Sequence, residues 1–417
     1  MSYEQRKSLI SEIEKKRNSK VITLITSDRI TTFPFPGLIG QISPDQVPQL
    51  FKHLKAIEIS SPENKNIDLF IHSSGGDVNT AWPFVNAIRN YSEKYNVIIP
   101  IKAHSSATLI SLGADTIVMT KTASLSPVDP TVTNGFNPKE NGQPQGISVE
   151  DVTSFITLAK DTNIVKEDKI TDIFKILAAK VHPLALGNVK RSHTQIRQLA
   201  KNLLQMHMDG KKDKKVIDKI VNSLTQDLNT HNHSIFRKEA TETISLKNIK
   251  EADSAEEKIF WALYKDYEEE LQLNKIFDIN MYMGTDSEKI LETTTAFMES
   301  SEFSSKFEFK QNLIKSTNAD PNFRLQLIMN TNQLGNNAKL IKSQIAQIHS
   351  NITTLYGQLL PIINGNPTVP ALQALPSQYQ SILNEVTQLQ SNIPSEIDIS
   401  SLKQQIEHKI ITVGWNN

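Results

Sequence analysis

The sequence predicts an α/β fold, a mainly parallel sheet covered on both faces, across the first part of the chain. Short β-branched runs recur at Val21–Thr26, Ile67–His72, Val97–Ile101 and Thr116–Met119. Apolar residues at helical spacing fill the intervals at Val47–Ser60 and Val78–Tyr95. Turn residues bound each run. Strands that alternate with helices pair in parallel, because each helix carries the chain back across the sheet. In such sheets a site forms at the carboxyl ends of the strands.

The elements follow in order. Pro83 falls in the second helical pattern, so that helix is kinked or starts slightly later than Val78. Thr131–Gly146, rich in Asn, Gly and Pro, reads as a long surface loop. Val149 to about Leu228 reads as helical, with breaks at His182-Pro183 and near Gly210. The charged run Gly210–Lys215 reads as a solvated helix start. Beyond about residue 250 the pattern changes. Ala255–Glu270 is an amphipathic acidic helix, Phe307, Phe309, Gln311 and Leu313 alternate as in a half-exposed strand, and Lys409–Trp415 reads as a strand. Between the last two, Ile341, Ile345, Ile348, Ile352, Leu355 and Leu359 follow a 4-3 spacing that Leu375, Tyr379, Ile382, Val386, Leu389 and Ile393 repeat. Two such narrow stripes joined by a Pro/Gly/Asn turn predict a long antiparallel helical hairpin at about 332–395. The expected division is a domain over 1–250 and an α+β region over 251–417 that contains the hairpin.

Composition narrows the function. Lysine plus arginine and aspartate plus glutamate both number 45, so the formal net charge is zero. That argues against nucleic acid or an anionic membrane as the main partner, since both select a basic surface. Cysteine is absent, which excludes a disulfide scaffold and a thiolate metal site. The charged N-terminus lacks the apolar core of a signal peptide, and no apolar run reaches the ~18–20 residues that cross a bilayer. The expectation is a cytoplasmic protein without a membrane span.

Two segments carry chemistry. Ile71–Asp77 (IHSSGGD) and Ala103–Thr108 (AHSSAT) each follow a β-branched run and precede an apolar helical pattern. They set a di-glycine turn and a serine at neighbouring strand ends. Acyl transfer needs such a nucleophile beside backbone N–H groups able to hold an oxyanion. Ser105 is the expected nucleophile, and the N–H groups of Gly75 and Ser106 are the expected oxyanion donors. Glycine at 75 and 76 lets backbone approach substrate without a Cβ in the way. The bland alternative is a tight turn and a helix cap.

The same residues resemble the superfamily of the Clp protease proteolytic subunit, signal peptide peptidase A and the crotonases. The nearest resemblance is to its serine dehydrogenase proteinase (SDH-type) branch. It rests on SSGGDV, on HSSATLISLGADTIV, on Ser126-Pro127-Val128-Asp129-Pro130, on the HPLALG run from His182 with Arg191, and on the run from His231 to Ala240. The resemblance implies a ClpP/crotonase-like repeated ββα core over about 1–250, a serine peptidase with Ser105 as nucleophile that needs neither metal nor organic cofactor, and a homo-oligomer. No GxxxxGK[ST] motif occurs, so any ATP-driven step needs a separate ATPase as partner.

The base is left open. At the position where the Clp subunit carries its histidine this chain has Asp129-Pro130. The candidates are His231 and His233, Lys180 or His182, and Lys139 if its loop folds inward, with Asp129 as an orienting carboxylate. Strand alternation turns His72 and His104 away from the motifs beside them. The expected activity is cleavage of peptides or unfolded protein segments through an acyl-enzyme on Ser105. Two rivals stand beside it. One is a crotonase-type acyl-CoA enzyme. The other is an inactive oligomeric scaffold that binds a partner through the hairpin.

Overall fold

The computed structural model describes residues 3–32, 35–128, 131–132, 135–140, 143–144, 146–148, 152, 154–155, 158, 170–228, 233–316, 321–365, 370–392 and 405–416. The chain opens with α1 (Tyr3–Arg17), β1 (Lys20–Thr26), α2 (Gln46–Ser60), β2 (Asn66–His72), α3 (Ala81–Tyr91) and β3 (Lys94–Ile99). Then come β4 (Lys102–Ala103), α4 (Ser106–Leu112), β5 (Thr116–Met119) and β6 (Ser124–Leu125). Four two-residue strands follow, β7 (Thr131–Val132), β8 (Lys139–Glu140), β9 (Gln143–Pro144) and β10 (Ile147–Ser148). Helices α5 (Ile170–Lys180), α6 (Pro183–Leu204) and α7 (Lys214–Asn222) lead to β11 (Ile235–Phe236), α8 (Arg237–Glu242) and β12 (Ile249–Glu251). The rest comprises α9 (Ser254–Glu270), α10 (Ile279–Met283), β13 (Glu288–Ser300), β14 (Ser304–Ser316), α11 (Pro321–Gly365), α12 (Pro370–Asn392) and β15 (Gln405–Asn416).

Strands β1 and β2 lie at the centre because all but the first residue of each is buried. They run parallel, with Leu24 opposite Ile71, and β3, β5 and β12 continue the parallel ladder. On the other side of β1 comes β13, antiparallel, so the full order is β12-β5-β3-β2-β1-β13-β14-β15. The alternation of a pleated strand divides the apolar residues between two faces. Leu24, Leu69, Ile71, Val97, Ile99 and Ile117 pack under α2, α3, α4, α6 and α7. Val21, Ile25, Phe70, Ile98 and Val118 pack under α1 and α9.

Two compact units result, one of residues 1–284, 290–312 and 409–417 and the other of 285–289 and 313–408. The 250/251 division expected from the sequence falls inside the first unit, where β12 pairs with β5 and α9 begins at a capping box of Asp253 and Glu256. In the second unit α11 and α12 touch through Tyr356 and Tyr379, whose rings stack at 3.8 Å.

Two local expectations change. The helix expected at Val78–Tyr95 is a short 3-10 turn followed by α3, and Pro83 sits in the first turn of α3, where its missing N–H costs nothing. Tyr95 belongs to β3 and is fully buried. Within the expected loop at 131–146, β8 pairs antiparallel with β9, and β7 pairs antiparallel with β10 just beyond it.

Candidate active site

Ser105 ends the stretch after β4 and caps α4, in a backbone conformation of φ 51° and ψ −116°. A side chain pays for a positive φ, on the order of 1–3 kcal/mol, and keeps it only where the surroundings impose it. Here they do. The Ser105 N–H donates to Ser126 Oγ at 2.8 Å, the Ser126 N–H donates to Thr108 Oγ1 at 3.1 Å, and the Thr108 hydroxyl donates to the Ala103 carbonyl at 2.7 Å. The backbone at Ser105 is thus held by a run of bonds reaching from β4 through α4 to the residue after β6. Ser105 is 7% exposed, and among the described residues its Oγ has no hydrogen-bond partner.

The di-glycine turn presses on this serine. A Cβ on Gly75 would meet Ser105 Cβ at 2.7 Å and the His104 carbonyl oxygen at 2.8 Å. Gly75 has φ +104° and Gly76 φ +153°, both in the region that glycine takes without strain. The amides of the turn have separate fates. The Gly75 N–H donates to Ser73 Oγ at 3.0 Å. The Gly75 carbonyl accepts from Ile42 N at 2.8 Å, and the Asp77 N–H donates to the Ile42 carbonyl at 2.8 Å. Because the peptide between Gly75 and Gly76 is trans, the Gly76 N–H points opposite to the Gly75 carbonyl, away from Ile42. It has no partner among the described residues. The Ser106 N–H, at the start of α4, is likewise unpaired there. Of the two donors expected, then, Gly75 is occupied and Ser106 is open among the described residues, and the amide of Gly76 is open beside them.

The candidate bases fall in different places. His233 precedes β11, which pairs with β6 through Ile235 and Leu125 and so comes beside the residue before Ser126. Its Nε2 lies 2.8 Å from Glu239 Oε1, an imidazole–carboxylate pair. His182 is the N-cap of α6: its Nδ1 accepts the Leu184 N–H at 3.2 Å and its ring stacks on Phe136 at 5.0 Å. Those bonds give it the helix-boundary role. Lys180 is the exposed last residue of α5, and Lys139 lies on β8. His231 and Asp129 lie outside the described residues. His72 is buried on the Phe70 face of the sheet, away from Ser105, and burial pushes its pKa down against the pull of Asp28, 3.7 Å away. His104 Nε2 lies 2.9 Å from Ser124 Oγ. Among the described residues no group of acidic or histidine side chains is arranged to hold a metal, and no helix is long and apolar enough to cross a membrane.

The sequence pointed to Ser105 and the glycines but not to Ser126 or Ser73. Ser126 had one signal, its place in the Ser126–Pro130 motif. Ser73 had one too, as the first residue of the SSGGDV motif.

The family model described as ClpP-like SDH-type serine proteinase matches residues 1–140, a span that takes in Gly75, Gly76, Ser105 and Ser106 and stops short of Lys180 and His233. An uncharacterized protein of Methanocaldococcus jannaschii is 31% identical over 238 residues, 57% of this chain and 71% of that protein. A second uncharacterized protein of the same organism is 36% identical over 123 residues, 30% of this chain and 41% of its own length. Among solved structures, a serine-to-alanine mutant of the 1510-N membrane-bound stomatin-specific protease aligns at TM-score 0.32 and 14% identity, over 57% of this chain and 82% of that one. A lysine-to-alanine mutant of the same protease, in complex with a substrate peptide, aligns at TM-score 0.33 and 14% identity, over 57% and 78%.

Proposed function

This chain belongs to the ClpP-like SDH-type serine proteinases, and from that premise we propose that it cleaves peptides or unfolded protein segments through an acyl-enzyme on Ser105. The observation that carries the reading is the contact of Ser105 with the di-glycine turn, together with two amides, those of Gly76 and Ser106, that have no partner among the described residues. Ser105 Oγ attacks the scissile carbonyl, and its oxygen, now negative, is held by the N–H groups of Gly76 and Ser106. The dipole of α4 adds to that stabilisation. The amine leaves with a proton, and water then releases the acyl group. Among the described residues the Gly75–Asp77 segment pairs with Ile42 along one edge, so a peptide in extended form can add to its other edge.

The base in this reading is His233, oriented by Glu239. It is supported by the imidazole–carboxylate pair and by the pairing of β11 with β6 next to Ser126. Removing a general base costs typically 100- to 10,000-fold in rate. The reading includes a homo-oligomer, with any ATP-driven unfolding supplied by a separate ATPase.

One observation favours a second reading. Among the described residues Ser105 Oγ has no bond to any histidine or lysine, as expected of an inactive scaffold that presents its helices to a partner. A fluorophosphonate probe separates the two. The peptidase reading expects labelling of the intact chain, full retention in Ser106→Ala, loss in Ser105→Ala and slowed labelling in His233→Ala. Labelling that persists without Ser105, or none at any pH from about 6 to 9, overturns it in favour of the scaffold.

A further inference from the structure

We propose that Ser73 is a positioning residue for the oxyanion hole, its hydroxyl holding the Gly75 amide so that Gly76 presents the di-glycine donor. The proposal rests on the assignment of Ser105 as nucleophile. Ser73 is fully buried and locked between the two arms of the site: its N–H donates to the Lys102 carbonyl at 3.1 Å and its carbonyl accepts the His104 N–H at 3.0 Å. It therefore moves with the strand that delivers Ser105. Its Oγ accepts two bonds, from the Gly75 N–H at 3.0 Å and from the Thr26 hydroxyl at 2.8 Å. Thr26, at the end of β1, is also fully buried, so water does not compete for either hydroxyl.

These bonds fix two successive peptide planes. The Ser74–Gly75 plane is set by Ser73, and the Gly75–Gly76 plane by Ile42, whose N–H binds the Gly75 carbonyl. With both planes held, the Gly76 amide is left pointing away from Ile42, without a partner among the described residues. An oxyanion donor acts through its placement before the charge appears, and a displacement of about 1 Å costs on the order of 100-fold. Without the Ser73 hydroxyl the Gly75 amide loses its only partner among the described residues, in a buried place, and the turn is free to rotate that N–H outward. The Gly76 N–H then leaves its position.

The test pairs Ser73→Ala with Ser73→Thr, which keeps a hydroxyl. Amide hydrogen exchange at Gly75 reads the latch directly, and acylation by an activated ester reads its effect. In folded Ser73→Ala the Gly75 amide is expected to exchange at least tenfold faster. Acylation should slow roughly 10- to 100-fold with KM within twofold, and Ser73→Thr should restore both. Unchanged exchange and unchanged acylation in Ser73→Ala overturn the proposal. If Ser73→Ala does not fold, Thr26→Val takes its place: it removes the donor that orients the Ser73 oxygen and is expected to slow acylation at constant KM, and an unaltered rate overturns the latch. If the wild-type chain is not acylated at all, the peptidase reading fails, and exchange at Gly75 alone then decides for or against the latch.

Discussion

Gly76 lies against Ile42 so closely that a Cβ on the glycine would come within 2.5 Å of the Ile42 nitrogen and nearer still to its carbonyl oxygen. Both obstacles are backbone atoms, already committed to hydrogen bonds with Gly75 and Asp77, so neither yields as a flexible side chain would. Gly76→Ala is expected to separate this pair and to abolish probe labelling. Gly75→Ala fails for a different reason, since its Cβ would strike Ser105. Each carries a positive φ as well, and each is expected to lose about 2–4 kcal/mol of stability. Gly187, in α6, has open space around it, and Gly187→Ala should gain up to about 1 kcal/mol. Urea denaturation of the three variants checks the order.

Ser106 provides the complementary case. Its hydroxyl is fully buried and has no hydrogen-bond partner among the described residues, at the first position of α4. An unpaired buried hydroxyl is a cost, and alanine is the better helix former. Ser106→Ala is expected to raise stability by about 1 kcal/mol and to leave labelling intact, because its contribution to the site is the backbone N–H that alanine keeps. A fall in labelling would mean that this hydroxyl takes part in the chemistry.

What the sequence revealed and what it hid divide along physical lines. The strands β1, β2 and β5 were legible because buried parallel strands need uninterrupted β-branched runs, which local composition reports. The place of Ser105, at a helix start beside the di-glycine turn, was legible through a motif. That the Gly75 amide is taken and the Gly76 amide left open was not, because the direction of each amide depends on Ile42 and Ser73, and a peptide plane is set by partners that no spacing encodes. Helix α1 was read only as a charged terminus. It is amphipathic in an unusual way, since Arg6 is buried beside Ile10 and Ile13, and burial of an arginine becomes readable only once its carboxylate partners are known. His182 shows the reverse: a residue read as a base candidate is explained by the helix it caps.

Acid should weaken the protein from near neutrality downward. The His53 ring is buried between Ser300 Oγ at 2.9 Å and Ser305 Oγ at 3.3 Å, and burial pushes its pKa down from 6.5 to about 3. As pH falls below 6.5 the unfolded chain takes up a proton that the folded ring refuses. The stabilisation is therefore complete above about pH 6.5 and declines steadily toward pH 3, by up to about 1.4 kcal/mol per pH unit for one such group. Burial shifts His72 in the same direction. Urea unfolding at about pH 7, 6 and 5 should show this loss, and His53→Gln should flatten it by about one proton. Equal slopes in the two proteins would remove His53 as a cause.

The N-terminal helix is held by a buried charge cluster whose loss should be costly. Arg6 is 3% exposed and donates twice to Glu299 of β13, from Nε at 2.8 Å and Nη2 at 2.9 Å, and once from Nη1 to Asp266 of α9 at 2.9 Å. Tyr267 donates to the same Glu299 at 2.6 Å, and the guanidinium lies 5.0 Å from the centre of its ring. Both carboxylates are fully buried, so Arg6→Met strands two negative charges without water and should cost about 3–5 kcal/mol. Arg6→Lys should restore only part, because an ammonium cannot make the paired bonds of the planar fork. Since the cluster is out of reach of solvent, added salt should change these losses little. Combining Arg6→Met with Glu299→Gln decides whether pairing is the cause. The double variant should be less destabilised than the sum of the two single losses by at least about 1 kcal/mol, whereas simple additivity would assign the role of Arg6 to packing against Tyr267 and Phe297.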